Sequence, residues 1–139
     1  LNRLLYVALL VSSLLSAQNL EKELQSRIIY KLASDLMKQK IVTIYIEDAN
    51  FFDIEKYNKG LKRIFTCDYA EFVLTNRLPN CNYENSILFF TDYKSYLKNI
   101  DKAYGVFFWQ KGRPNIILNG TLLKREGIVL PKEYEKFVE

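Results

Sequence analysis

Four carboxylates crowd the stretch from Glu47 to Glu55, at Glu47, Asp48, Asp53 and Glu55. Two such groups at the right separation can work as general acid and general base. Neighbouring loop acids more commonly cap helical turns while staying solvated, and that reading is adopted. Ser95-Tyr-Leu-Lys98 fits the spacing by which a lysine one helical turn on helps to activate a serine, but the companion motifs of the penicillin-binding enzymes are missing, which leaves a solvated helix face. The chain contains no histidine, which removes Ser-His-Asp triads, Cys-His nucleophile pairs and the usual catalytic zinc sets. Cys67 and Cys81, the only cysteines, are too widely spaced for a CxxC redox or zinc motif. No catalytic residue, metal site or cofactor is assigned.

Two further patterns have structural readings. Asn119-Gly-Thr121 matches the N-glycosylation acceptor, yet Asn119 also stands where a strand should end and the chain turn, and that role is preferred. Ile44-Tyr-Ile46 and Lys102 to Trp109 partly match the two strand motifs with which RNA-recognition modules stack bases. Ala103 stands where glycine is wanted, Val106 replaces a phenylalanine, and a strand follows where a helix should, so Tyr45, Tyr104 and Phe108 are assigned to the core. A net charge of +4 is too mild to draw the chain strongly to nucleic acid or anionic lipid.

These residues must be positioned by the rest of the chain. Its 139 residues, 49% hydrophobic and 26% charged, suit one globular domain. The N-terminus carries Arg3, an apolar run from Leu4 to Ala17 and a small-residue end before Gln18-Asn19, the pattern of a secretory signal peptide. That run is shorter than the roughly 20 residues a spanning helix needs; the alternative is a short uncleaved anchor. Residues 1–17 are therefore read as a signal peptide and 18–139 as the single mature domain, placed in the periplasm. Export implies an oxidising compartment, where Cys67 and Cys81 would by default be bridged, the alternative being two buried thiols.

Leu24, Ile28, Leu32 and Leu36 recur at helical spacing, which predicts an amphipathic helix over 20–39. The β-branched run Ile41 to Ile46 suits a central strand covered on both faces. Tyr57, Leu61 and Ile64 predict a second helix over 54–64, and 70–75 and 86–91 read as strands. Asp92 can cap a short helix through Lys98. Tyr104 to Trp109 and Asn115 to Asn119 form a hairpin, with Gly112 supplying the positive φ of its tight turn. A helical turn over 121–126 ends at Gly127, and a last helix starts at Pro131. The fold class expected is α/β: one small domain, an N-terminal helix, a mixed sheet of about five strands with a hairpin in its C-terminal half, and helices on both faces.

Alternation in the hairpin places Tyr104, Val106 and Phe108 on one sheet face and Gly105, Phe107 and Trp109 on the other. Both are apolar, so either helices cover both or one meets a partner. Phe107 and Trp109 are the candidate interaction surface.

From Thr91-Asp92 through Gly105-Val-Phe-Phe108, the Lys111-Gly112-Arg113 turn, Asn119 and the closing Leu122, Leu123, Gly127, Ile128 and Leu130, the sequence resembles the YfiR-like periplasmic family. The resemblance covers residues 86–138, with Asp92, Gly105, Phe108, Gly112 and Asn119 in the family's structural positions. Upstream it is looser: Lys40-Ile41 stands where the family often has Trp-Pro. The resemblance implies a non-enzymatic periplasmic regulator that controls an inner-membrane signalling protein, such as a diguanylate cyclase or sensor, by direct contact, with a homodimer as the other partner to consider. It also implies that a disulfide could tune stability and hence signalling. The alternative is a small periplasmic solute-binding module, with Tyr104, Phe108 and Trp109 lining an apolar pocket.

Overall fold

The computed structural model describes residues 2–139, with side chains described from Ala17 onward. A long helix, α1 (Asn2–Met37), leads into six strands: β1 (Val42–Ile46), β2 (Leu61–Ile64), β3 (Phe72–Thr75), β4 (Ile87–Phe90), β5 (Gly105–Gln110) and β6 (Arg113–Leu118). Two short helices complete the frame, α2 (Tyr93–Lys98) between β4 and β5 and α3 (Gly120–Arg125) after β6. Across the single sheet the order is β2-β1-β3-β4-β5-β6. The first five strands are parallel and β6 returns antiparallel to β5. This is the small α/β domain expected from the sequence.

The reading of residues 1–17 as a signal peptide falls almost wholly on side chains outside the described ones. Through that stretch the backbone is simply the first part of α1. Among the described residues no helix is long and apolar enough to cross a membrane.

Strand alternation divides the core in two. Val42, Ile44, Phe72, Leu74, Ile87, Phe89 and Phe107 point to one face, where Ile29, Leu32, Ala33 and Leu36 of α1 cover them. Val73, Leu88, Phe90 and Val106 point to the other, against Tyr96 of α2, Ala103 and Cys67. The first face has a long helix for a lid, pinned at its far end by the 3-10 turn Lys132–Phe137. There Lys31 bridges Asp35 at 3.1 Å and Glu133 at 3.0 Å, and the Tyr134 hydroxyl donates to Asp35. Those bonds to Glu133 and Asp35 hold the Lys31 ammonium well above its ordinary pKa.

The second face is thinly covered, by the six residues of α2 and by loops. Asp92 caps α2 as its sequence position predicts, accepting from the Ser95 N–H at 2.9 Å. Tyr96 inserts beneath it, and burial pushes its pKa up to about 12. The rest of the cover is stapled covalently. Cys67, in the turn before β3, is bonded to Cys81, in the loop before β4, with a Cα–Cα distance of 6.1 Å. Asp68 accepts from the Asn82 N–H beside it.

Three differences from the expected elements have local causes. The predicted second helix over 54–64 is a 3-10 turn, Ile54–Tyr57, followed by the edge strand β2, which raises the strand count to six. Gly60 separates them because a Cβ there would lie 2.8 Å from the Lys40 carbonyl oxygen and inside the Tyr30 ring, and Asn58 closes the turn by accepting from the Gly60 N–H. The Tyr57, Leu61 and Ile64 spacing therefore comes from a turn and a strand laid end to end. The closing helix is a 3-10 turn rather than an α-helix. Finally, the buried stripe of α1 is Gln25, Ser26, Ile29, Leu32, Ala33 and Leu36, rotated from the Leu24–Ile28 line so that two polar residues face the core.

Opening the disulfide should unmask how much of the second face it holds. Replacing both Cys67 and Cys81 by serine should lower stability by about 3 kcal/mol on the loop-entropy estimate. A reductant should destabilise the unmodified protein by a similar amount and leave the double variant unchanged in urea denaturation.

Candidate functional site

The sheet order contains one reversal: the chain leaves β1 for β2 on one side, then returns across to β3 on the other. In open parallel sheets the crevice outside the carboxyl ends of the strands at such a reversal is where ligands are usually held. Here that edge carries a cleft of about 1010 Å³. Its walls come from the start of the docked part of α1 (Lys22 and Gln25), the loop after β1 (Asp48 to Phe51), the β4–α2 junction (Thr91 to Lys94) and the end of β5 (Phe108 to Gln110).

The polar floor is already committed. Asp48, only 6% exposed, accepts the Asn50 N–H at 3.0 Å and the Thr91 hydroxyl at 2.6 Å, so its carboxylate ties the end of β1 to the end of β4. Lys22 donates to the carbonyls of Asn50 at 3.0 Å and Phe52 at 2.6 Å, fixing α1 to the same loop. Asp92 is occupied by the N–H and hydroxyl of Ser95. Glu47 lies just outside, paired with Arg77 at 2.8 Å.

Two atoms are left over. Gln25 is 2% exposed, lines the cleft, and its Oε1 is buried without a hydrogen-bond partner. The Trp109 indole Nε1–H, from another lining residue, is likewise buried and unpartnered. A buried donor or acceptor left unmade costs about 1–3 kcal/mol; both residues line the cleft, and the two atoms themselves are shielded from solvent. Aromatic rings supply the apolar wall: Tyr93 lies 5.4 Å from Phe108, and Trp109 meets Phe107 edge-on at 5.9 Å.

The residues singled out in the sequence are scattered by comparison. Phe107 is 0% exposed, wedged edge-on between Phe51 and Trp109, so it cannot belong to an interaction surface of the folded monomer. Trp109 is half-buried and lines the cleft instead of projecting from the sheet. Phe108 and Asp92 also border the cleft, and Tyr104 does not. Gly105 is structural, since a Cβ there would lie 2.6 Å from the Ile117 carbonyl oxygen and 2.7 Å from the Phe89 ring. Gly112, at φ +74°, makes the exposed hairpin turn with Lys111 at φ 53°. Asn119 is buried, its amide donating to the carbonyls of Ile100 at 2.7 Å and Ala103 at 2.9 Å while its oxygen accepts the Leu122 N–H. An amide so engaged is a helix cap and crossbrace, not a free glycosylation acceptor.

Gln25 is not among the apolar residues by which the sequence marks this helix. It does stand four residues before Ile29 and seven before Leu32, on the line that is buried. Among the described residues no group of three or more cysteine, aspartate or glutamate side chains is arranged to hold a metal ion.

The Asp48–Thr91 bond is the clearest support of the cleft floor. Thr91→Val keeps the shape and removes the donor to a buried carboxylate, and should cost about 1–3 kcal/mol in urea denaturation; Thr91→Ser should recover most of it. Compared with protein-family models, with curated proteins and with solved structures, this chain matches none of them.

Proposed function

We propose that this chain is a non-enzymatic sensory domain working outside the cytoplasm: it takes a small solute into the cleft at the carboxyl edge of its sheet and reports occupancy by contact with a membrane signalling protein. The observation that carries the reading is the cleft of about 1010 Å³ at the carboxyl edge of the sheet, lined by Gln25, Tyr93, Phe108 and Trp109. Asp48, Lys22 and Asp92 at the cleft hold its loops in place through hydrogen bonds, which supports a binding role over turnover. The absence of histidine from the sequence supports the same conclusion.

Export to the periplasm is supported by the Cys67–Cys81 bridge, a bond at home in oxidising compartments, and by the signal-like N-terminus. Action on an inner-membrane partner, such as a diguanylate cyclase or sensor, follows the YfiR-like resemblance over residues 86–138. Phe107 is buried, so the contact surface is sought elsewhere. Phe65 and Tyr69, 79% and 83% exposed, flank Cys67 in the β2–β3 connection and are the surface chosen for the test.

Photo-cross-linking from position 69 in intact cells, followed by mass spectrometry, tests the output half. The expected catch is an inner-membrane protein with a cytoplasmic signalling domain, lost when Phe65 is changed to serine. Capture of only a second copy of this chain would replace that partner with a homodimer.

A further inference from the structure

The sheet ends in two edge strands, β2 and β6, and the chain treats them differently. At β6 the Leu118 carbonyl accepts the Glu139 N–H rather than a bond from β5, so by strand alternation the outward backbone groups are those of Pro114, Ile116 and Leu118. Pro114 has no N–H to offer, and Val138 is paired alongside Leu118. That edge is blunted from within.

The β2 edge is open. Val42 stands opposite Leu61 and Ile44 opposite Arg63, and the Val42 N–H donates to the Gly60 carbonyl at 2.8 Å. In a parallel ladder this register turns the backbone groups of Lys62 and Ile64 toward β1 and those of Leu61 and Arg63 away from it. The Asn58 carbonyl takes the Leu61 N–H. Among the described residues the Leu61 carbonyl, both backbone groups of Arg63 and the Phe65 N–H have no hydrogen-bond partner in the protein.

We propose that this edge receives an extended, acidic segment of the partner protein, which adds to the sheet as a seventh strand. This rests on the reading of the chain as a domain that acts by protein contact, and it is independent of what the cleft holds.

Charge selects the occupant. Lys59 and Lys62 lie along β2 and the turn before it, and the Lys40 backbone is beside them, its carbonyl oxygen 2.8 Å from where a Cβ on Gly60 would stand. All three lysines are exposed, and none has an ion-pair partner among the described residues. Lys56 and Arg63, by contrast, are matched by Asp53 and Glu55. A second copy of this chain, paired antiparallel on the same edge, would bring Lys62 and Arg63 against their own counterparts, and like charges set opposite destabilise a strand pair. An anionic lipid surface would meet the lysines but make no use of the outward N–H and C=O groups, which a polypeptide strand completes. The lysines that guard this edge against self-pairing therefore also set the sign of what it accepts. At the far end, an apolar side chain of the segment would cover the Phe65 ring, 79% exposed and stacked on Arg63 at 4.8 Å.

Selection of a displayed random peptide library on the full chain, followed by titration of the enriched peptides, tests the proposal. The enriched peptides should be acidic, and raising the salt from about 50 mM to about 500 mM should weaken them. Lys59→Glu and Lys62→Glu combined, folded by circular dichroism, should weaken binding about tenfold or more. Bound peptide should slow amide exchange at Arg63 and Phe65, while Lys62 and Ile64, already turned toward β1, change little. Acidic peptides that bind without slowing Arg63 and Phe65, enrichment without acidic preference, or no enrichment would each overturn the proposal. So would self-association, or binding to phosphatidylglycerol vesicles, that the two reversals abolish while no peptide binds. Capture in cells from position 69 separates this proposal from the reading beneath it. A membrane partner still captured by the doubly reversed variant would remove the edge and leave the protein-contact reading intact; no partner captured by either form would overturn both.

Discussion

Five parallel strands impose the constraint from which the rest of the structure follows. Each connection between parallel neighbours must cross a face of the sheet, so neither face can be left to water. This chain has few residues for the task, and it divides the work unequally. One face receives α1, a helix long enough to span the strands and locked at its far end by the Lys31, Asp35, Glu133 and Tyr134 cluster. The other receives a six-residue helix and two loops, and there the Cys67–Cys81 bond replaces packing that a longer helix would have supplied. The open hairpin of β5 and β6 then closes the sheet without another crossover.

The same constraint creates the cleft. Because all five parallel strands end on one edge, their outgoing loops gather there, and the reversal between β2 and β3 separates the loop of β1 from the others. Asp48 spans that gap to Thr91, and Lys22 ties α1 to the loop. The acids Glu47, Asp48, Asp53 and Glu55, dense in the sequence, each have a structural partner. Asp48 caps the turn Ala49–Phe51, Glu47 pairs with Arg77, and Asp53 and Glu55 both face Arg63.

Much of the architecture could be read from residue pattern. β1, the α2 cap at Asp92, the hairpin turn at Gly112 and the strand-ending role of Asn119 each depend on local chemistry that a sequence displays. β2 was hidden because a turn and a short edge strand can imitate a helical spacing when a glycine required by tertiary contact, here with Tyr30 and Lys40, falls between them. The cleft was hidden for a different reason. Its distinctive feature is a glutamine where the buried line of a helix calls for an aliphatic side chain, and a scan that follows apolar residues steps to the adjacent line, Leu24 and Ile28, and passes it by. Phe107 and Trp109 were rightly seen as apolar on one face, but only the fold shows that Phe51 and α1 already cover the first of them.

The central claim, that the carboxyl-edge cleft is the input of this domain, can be tested at a single atom. Trp109 is the only tryptophan, so an ¹H–¹⁵N spectrum contains one indole N–H resonance. Titration with a panel of small solutes should yield one that moves that resonance saturably, together with the backbone signals of Asn50, Thr91 and Gln110 around the cleft. An indole signal that stays fixed while resonances elsewhere on the sheet respond would place the binding site outside the cleft and contradict the account.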